Sequence, residues 1–225
     1  MIEKIKGGLV VSCQALDNEP LHSSFIMSKM AKAAEEGGAI GIRANSKEDI
    51  LAIKEETDLP IIGIVKRDYD DSNVYITATM TEIDELMEAG CDMIALDATS
   101  QKRPEGESLE TFVQAIREKY GDVLLMADTS TLEEGIEADR IGFDVISTTL
   151  VGYTDYSKGQ DIFSNDYELL KAYIEKTNCP VIAEGGVDTP EKMRGCLEAG
   201  AHSVVVGSAI TRPQLIAKTF ADAIG

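Results

Sequence analysis

Three charged residues of the chain each come directly after a short apolar run: Lys66, Asp128 and Glu184. The run before Lys66 is Ile61-Ile-Gly-Ile-Val65, which would leave the amine at the edge of a partly dry pocket. Desolvation disfavours an ammonium ion and lowers its pKa, so that a lysine becomes a base or a nucleophile near neutral pH. A carboxylate such as Glu184 would oppose this effect by stabilising the charged amine. Lys66 and Glu184 are therefore candidates for proton-transfer chemistry.

The polar residues that end the first, third, fifth and seventh predicted strands are Gln14, Lys66, Asp128 and Glu184. The residues two positions before them are small or apolar, and this period of two is typical of side chains that point into a barrel. Alternate strands fill a common layer there, so we expect the four groups to meet at the barrel mouth, with Lys66 facing Glu184. Arg43 is a candidate clamp for an anion or a sugar hydroxyl. A salt bridge from Lys66 to Asp68 or Asp70 is the structural alternative.

Glycine-rich segments follow the last two apolar runs. In barrels of this kind a phosphate commonly binds to backbone N–H groups after strands seven and eight, near the start of a helix. Glycine lets the backbone approach the phosphate oxygens because no Cβ is in the way. We therefore predict a phosphate site formed by these residues: Gly185, Gly186, Gly207 and Ser208, with a charge-assisted contact from Arg212. Either glycine segment alone is also compatible with a plain turn.

The elements that must position these residues alternate between strands and helices. Continuous apolar runs are typical of parallel strands that helices cover on both faces. They predict strands near residues 8–14, 39–44, 60–66, 92–98, 123–128, 144–149, 180–185 and 203–208. Amphipathic patterns predict helices near 22–37, 46–57, 79–89, 108–120, 131–141, 166–177, 190–199 and 212–224. We therefore predict one domain over residues 1–225, a (β/α)₈ TIM barrel, with a doubly wound open sheet as the alternative.

Capping residues and glycines mark the ends of several predicted helices. Ser46, Thr79 or Thr81, and Thr189 are expected N-caps. Four glycines are expected in left-handed positions after helices: Gly38, Gly90, Gly142 and Gly200. The two longest strand-to-helix connections, near 67–78 and 150–165, are expected on the catalytic face of the barrel. For the second, three interpretations remain open: a lid, a wall of the substrate site, or a surface loop without a role in the site. The last helix is apolar enough to pack on the barrel or on a second subunit.

Composition excludes several classes of function. The 225 residues carry 21 Lys and Arg against 40 Asp and Glu, a formal charge of -19, which excludes binding to nucleic acid through phosphate neutralisation and argues against an anionic membrane surface. No run is long and apolar enough for export or membrane insertion. Four cysteines without paired spacing are expected to be reduced thiols in a cytoplasm. Only His22 could reach the barrel mouth. A divalent-metal site of the kind found in barrel epimerases needs a pair of histidines, so we expect no metal site.

Several segments of the chain resemble the bacterial N-acetylmannosamine-6-phosphate 2-epimerase family. They are Val11-Ser-Cys-Gln-Ala15, Glu19-Pro-Leu-His-Ser-Ser24, Gly41-Ile-Arg-Ala-Asn45, Gly63-Ile-Val-Lys-Arg-Asp-Tyr69, Ala95-Leu-Asp-Ala98, Ala183-Glu-Gly185 and Val206-Gly-Ser-Ala-Ile-Thr-Arg-Pro213. The resemblance covers essentially the whole chain. It implies a cytoplasmic (β/α)₈ barrel that needs no cofactor and forms a homodimer. The implied reaction interconverts N-acetylmannosamine 6-phosphate and N-acetylglucosamine 6-phosphate in sialic acid catabolism.

The resemblance also implies roles for individual residues. Lys66 corresponds to the catalytic lysine and Glu184 to an assisting carboxylate. Candidate substrate contacts are Arg43, Asp128, Gln14 and Tyr153. Family members often have His-Gly-Tyr where this chain has Val151-Gly-Tyr153, so a contact from position 151 is not carried over.

Three functions remain open on the residues alone. In an epimerase, Lys66 removes the C2 proton of a ring-opened sugar and a proton returns to the opposite face, with one base or two. A lysine at a strand end also suits a Schiff-base aldolase that acts on a phosphosugar. A phosphosugar-binding sensor would bind the same ligand without turnover.

Overall fold

The computed structural model describes residues 1–224, within which eight parallel strands alternate with helices. The strands are β1 (Leu9–Cys13), β2 (Gly41–Asn45), β3 (Ile61–Ile64), β4 (Met93–Asp97), β5 (Leu125–Asp128), β6 (Val145–Ser147), β7 (Val181–Ala183) and β8 (Ser203–Val206). The helices are α1 (Ser24–Glu36), α2 (Lys47–Lys54), α3 (Met80–Ala89), α4 (Leu109–Tyr120), α5 (Leu132–Ile141), α6 (Ser164–Lys176), α7 (Pro190–Glu198), α8 (Ser208–Thr211) and α9 (Pro213–Asp222), with 3₁₀ helices at Ile2–Ile5 and Pro104–Gly106. Because β1 pairs with both β2 and β8, the sheet is closed. The predicted TIM barrel is confirmed, and the doubly wound sheet is excluded.

Apolar side chains fill the barrel as the period of two predicts. Val10, Ile62, Ile64, Met126 and Ile182 belong to one buried cluster inside the barrel, together with Ile5. Their neighbours along the strands face outward into a second cluster beneath the helices. Since Ile5 comes from the first 3₁₀ helix, the amino end of the barrel is closed by an apolar side chain. The polar strand ends are left at the opposite, carboxyl end.

The predicted N-caps and helix-ending glycines are confirmed, while several helices are shorter than predicted, such as α2, which ends at Lys54 and not near residue 57. Thr79, and not Thr81, caps α3, where its backbone and side chain form a capping box with Glu82. Ser46 accepts a hydrogen bond from Asp49 N, and Thr189 accepts one from Lys192 N. The four glycines after helices all have positive φ: Gly38 (99°), Gly90 (66°), Gly142 (100°) and Gly200 (106°).

The connection from β3 to α3 changes the top of the barrel. Its residues 75–77, which we call the inserted segment, turn back so that Ile76 forms an antiparallel bridge with Lys66. Asp97 N, at the end of β4, donates to Ile76 O at 3.0 Å. Direct pairing of β3 with β4 stops at Gly63 and Ile94. The inserted segment therefore lies between the ends of β3 and β4 and positions the backbone of Lys66.

Helix α9 does not pack into the core. None of its residues is buried, and Phe220 is 74% exposed. The sequence left open whether this helix packs on the barrel or on a second subunit, and the barrel does not bury it. Among residues 1–224, no helix has both the length and the apolar character needed to cross a membrane.

Candidate active site

A cavity of about 890 Å³ opens at the carboxyl ends of the strands. Ten of the eleven predicted site residues line it: Gln14, Arg43, Lys66, Tyr153, Glu184, Gly185, Gly186, Gly207, Ser208 and Arg212. They come from the ends of β1, β2, β3, β7 and β8 and from the connection after β6. Of the four strand-end groups predicted to meet at the mouth, Gln14, Lys66 and Glu184 line the cavity. Asp128 reaches the same guanidinium as Glu184 but does not line the cavity.

Lys66 is half-buried at the cavity wall, where the inserted segment holds its backbone. Its N–H donates to Asn45 Oδ1 at 2.8 Å. Burial lowers the pKa of Lys66 to about 8; the positive charges of Arg43 and Arg212 act in the same direction, and Glu184 and Asp128 oppose them. Within residues 1–224 no carboxylate forms a salt bridge with Lys66 Nζ, so the alternative pairing with Asp68 or Asp70 is wrong.

Arg43 lies at the base of the cavity and is only 1% exposed. Its Nη1 donates to Asp128 Oδ1 at 2.9 Å and its Nη2 donates to Asp128 Oδ2 at 2.5 Å, a bidentate pair. Nη1 also donates to Glu184 Oε2 at 2.7 Å. One guanidinium therefore joins two carboxylates, and both of its terminal nitrogens are already engaged.

Asp128 differs from the prediction that it contacts substrate. Its side chain points into the barrel, as the period of two requires, but it is 0% exposed and does not line the cavity. The reason is that Arg43 extends over it from β2 and covers both carboxylate oxygens. In this structure both carboxylate oxygens of Asp128 are bonded to Arg43, and the side chain is not exposed to the cavity.

Glu184 faces the cavity from the end of β7. Its Oε2 accepts from Arg43, and the Thr149 hydroxyl lies 3.1 Å from it and 2.7 Å from Asp128 Oδ1. Burial raises the pKa of Glu184, while the neighbouring Arg43 acts in the opposite direction. No described residue donates a hydrogen bond to Oε1, so this oxygen is free to accept one from a ligand.

Four residues of the two glycine segments line one side of the cavity, which we call the glycine wall: Gly185, Gly186, Gly207 and Ser208. Gly185 and Gly186 have φ values of 100° and 69°, and a Cβ on Gly185 would lie 3.2 Å from Thr149 O. A Cβ on Gly207 would lie 3.3 Å from Ser12 Cβ. A side chain is disfavoured at Gly185 and Gly186 by the left-handed backbone and at Gly207 by the close approach of Ser12. The wall presents a bare backbone to the cavity.

Arg212 contributes the positive charge at this wall. Glu19 holds it through Nε at 2.8 Å and Nη2 at 3.0 Å, while Nη1 lies 3.2 Å from Ser208 Oγ. Two of the three guanidinium nitrogens thus fix its orientation. Nη1 remains directed towards Ser208, on the side of the glycine wall.

The two remaining predicted contacts, Gln14 and Tyr153, have very different surroundings. Gln14 is 7% exposed, and its Nε2 donates to Ser12 Oγ at 2.7 Å. Its buried Oε1 has no hydrogen-bond partner among residues 1–224. Tyr153 is 69% exposed and stands on the connection from β6 to α6. Gln14 therefore offers one unsatisfied acceptor, and Tyr153 offers an exposed ring at the rim.

Sequence reasoning missed two residues that complete the site. Thr149 follows Ser147, the last residue of β6, by the two positions that return a side chain to the barrel interior, and this spacing is the signal that could have found it. Glu19 lies in a segment quoted for the resemblance, but no sequence pattern pairs it with Arg212. In the described part of the chain, no group of three or more His, Cys, Asp or Glu residues is arranged to hold a metal ion.

The arrangement provides three kinds of chemistry within one cavity. Lys66 supplies an amine that loses its proton near pH 8. The Arg43–Glu184 pair supplies a fixed charge and a free carboxylate oxygen. The glycine wall with Arg212 supplies donors that suit a phosphate.

Comparison with protein families gives a direct match. A sequence model described as "Putative N-acetylmannosamine-6-phosphate epimerase" matches residues 27–225. A relative from Shouchella clausii named "Putative N-acetylmannosamine-6-phosphate 2-epimerase" is 65% identical over 224 residues, which is 100% of this chain and 98% of the relative.

Two solved structures extend the comparison. The N-acetylmannosamine-6-phosphate 2-epimerase from Clostridium perfringens is similar with a TM-score of 0.93 and 57% identity, covering 99% of this chain and 95% of its own. Thiamine phosphate pyrophosphorylase from Pyrococcus furiosus has a TM-score of 0.59 at 20% identity, covering 93% of this chain and 89% of its own, and shares the fold alone. The full-length matches at more than half identity, together with the family model, establish that this chain belongs to the N-acetylmannosamine-6-phosphate epimerase family.

Proposed function

We propose that this chain is an isomerase that interconverts N-acetylmannosamine 6-phosphate and N-acetylglucosamine 6-phosphate. The reaction inverts C2 by removing its proton and returning a proton to the opposite face. That proton is acidic only when the sugar ring opens, because the C1 aldehyde then stabilises the resulting enolate. The observation that carries the proposal is Lys66, whose pKa is lowered to about 8 beside a cavity that glycine backbone and Arg212 also line.

Lys66 is the proposed base. As a neutral amine it accepts the C2 proton, and the electron pair of the C–H bond moves into the enolate. For Lys66 alone to invert C2, its ammonium form must return the proton to the opposite face, so the enolate has to turn beside the lysine before it is protonated; return to the same face would regenerate the substrate. A lowered pKa suits this role, because both protonation states are populated near neutral pH.

Glu184 is the proposed assisting group. Its Oε2 is occupied by Arg43, while Oε1 is free to accept a hydrogen bond from the acetamido N–H or a hydroxyl group of the open sugar. Arg43 places positive charge near the developing enolate without leaving its two carboxylates. We assign Asp128 the task of holding Arg43, and Gln14 and Tyr153 that of contacting the sugar.

The phosphate of the substrate is proposed to bind at the glycine wall. Backbone N–H groups at Gly185, Gly186, Gly207 and Ser208, with Arg212, would supply its hydrogen bonds. An acidic protein can bind an anion here because the local field comes from amides and one arginine. The reaction as proposed needs no metal and no other cofactor.

Two further properties belong to this proposal. We propose a homodimer, since α9 leaves Phe220 exposed and none of its residues is buried on the barrel. Light scattering that gives the monomer mass of 24.3 kDa would contradict it. We also propose a cytoplasmic location, which the four free cysteines support.

The reaction is tested by following N-acetylmannosamine 6-phosphate in D₂O by ¹H NMR. We expect N-acetylglucosamine 6-phosphate to appear, with the origin of its C2 hydrogen reporting whether the lysine exchanges with solvent. Binding without any turnover would support a sensor and contradict the proposal. Borohydride reduction in the presence of substrate is the control for a Schiff-base aldolase, which would leave a covalent adduct on Lys66.

A further inference from the structure

Arg103 is a buried cation that belongs to no part of the site described above. It is 2% exposed, yet no carboxylate among residues 1–224 forms a salt bridge with it. It lies in the connection from β4 to α4, directly before the 3₁₀ helix Pro104–Gly106. Its guanidinium carbon lies 4.4 Å from the centroid of the Phe112 ring. The charges of Asp97, Glu107 and Glu82 favour its ionised form from beyond salt-bridge distance. Burying a charge without a direct ion pair is costly, so its position requires a reason.

The partners of Arg103 are backbone carbonyl groups on two different elements. Nη1 donates to Asp97 O, at the end of β4, at 2.6 Å. Nη2 donates to Ala78 O at 2.8 Å and approaches Thr77 O at 3.4 Å. Arg103 thus ties the end of β4 to the chain that leaves the inserted segment. Only a long, planar, multi-donor side chain can make these bonds together.

The inserted segment in turn fixes the backbone around Lys66. Thr77 N donates to Val65 O at 2.7 Å, and Thr77 Oγ1 accepts from Val65 N at 3.2 Å. Thr77 is fully buried with φ of 47°, a left-handed conformation that surrounding contacts must maintain for a threonine. Arg103 bonds the carbonyl of this residue and of the next one. Two hydrogen bonds of Arg103 are therefore made at or next to Thr77, the residue of the inserted segment that has the strained backbone.

We propose that Arg103 is a positioning residue for the reaction: by bonding the carbonyl groups where the inserted segment ends to that of Asp97 on β4, it holds the Lys66 backbone in place at the cavity wall. Stability alone is a weak explanation, because an apolar residue in place of a buried ion is often neutral or stabilising. Arg103 bonds none of the charged groups that act on Lys66, namely Arg43, Arg212, Glu184 and Asp128. Arg103 therefore acts on the Lys66 amine by fixing the position of the Lys66 backbone.

The test compares Arg103→Met with wild type. The proposal rests on the proposed role of Lys66, so the first readout is independent of activity: the pH dependence of Lys66 acetylation by acetic anhydride, measured by peptide mass spectrometry. A loosened segment admits water to the amine, so we expect the labelling midpoint to rise by about half a pH unit or more. In the epimerase assay we expect kcat to fall about tenfold or more, with KM within about twofold.

Arg117→Met is the matched control. Arg117 also donates to backbone carbonyls, of Val123 and Gly142, but at the amino end of the barrel. It should lower the melting temperature and leave the labelling midpoint of Lys66 unchanged. If Arg103→Met does not fold, Arg103→Lys keeps the charge and loses most of the carbonyl bonds, and the same rise is expected. An unchanged midpoint in the folded Arg103 variant overturns the proposal. Absence of turnover in wild type with a shifted midpoint overturns the proposed function instead.

Discussion

The two ends of the barrel hold charge in different ways. At the amino end, Asp144 accepts from Leu125 N and pairs with Arg117, and these two charged side chains are 30% and 29% exposed. At the carboxyl end, Arg43 and Asp128 form a pair that is 1% and 0% exposed. Among the described residues, six buried polar side-chain atoms have no hydrogen-bond partner, and five of them are at this end: Gln14 Oε1, Arg43 Nε, Asp97 Oδ2, Arg103 Nε and Gln214 Oε1. The sixth, Ser203 Oγ, is at the start of β8.

This difference shows that charged groups are removed from water, which is energetically unfavourable, mainly at the carboxyl end. The amino end joins strands and helices with partly hydrated pairs, and Ile5 closes it. The carboxyl end keeps ionised groups out of water, which shifts their pKa values and makes them useful for proton transfer. Stability and chemistry are thus largely separated along the barrel axis, as is general for this fold.

The largest effect that tests this separation is expected from Lys66→Ala. Loss of the sole base should lower the epimerisation rate by more than about 10⁴, since removing one positioned base typically costs 10² to 10⁴. Binding of N-acetylglucosamine 6-phosphate should persist in calorimetry, because the glycine wall and Arg212 are intact. Turnover near the wild-type rate would refute the role of Lys66.

Glu184→Gln is expected to have the next largest effect. The variant keeps shape and hydrogen bonding but loses charge and basicity, and we expect a loss on the order of 10² to 10³ in kcat. If Glu184 assists, C2 exchange with D₂O and product formation should slow together. Exchange that continues while product formation stops would instead establish a second base.

A smaller effect compares the two ends directly through stability. Arg43→Met leaves Asp128 and Glu184 without their partner, and we expect a loss of about 3 to 5 kcal/mol in the free energy of unfolding. Arg117→Met removes a partly exposed pair and should cost only about 1 kcal/mol. Urea denaturation measures both. Equal losses would mean that the two ends do not differ as described.

Much of the barrel was predictable because its signals are local. Each of these signals depends on a few neighbouring residues. Examples are the apolar runs that predict strands, the capping threonine Thr79 and the helix-ending glycine Gly90. The convergence of Lys66 and Glu184 also followed, since parallel strands bring their ends to one mouth. These features need no knowledge of distant contacts.

The contacts that a sequence pattern could not supply are those between distant residues. Arg43 meets Asp128 and Glu184 across 85 and 141 positions, and Glu19 meets Arg212 across 193. Their pairing depends on strand register and on which side chain covers another. The insertion of Ile76 beside β4 likewise depends on how one connection folds back.

The central claim is that burial makes Lys66 a base near neutral pH, and the pH dependence of kcat/KM tests it most directly. Below its pKa of about 8 the amine is protonated and cannot accept the C2 proton, so activity should rise with pH. We predict a tenfold rise per pH unit between about pH 6.5 and 7.5, levelling off above about pH 8. A profile that is flat through pH 8, or that still rises at pH 10, would contradict the account.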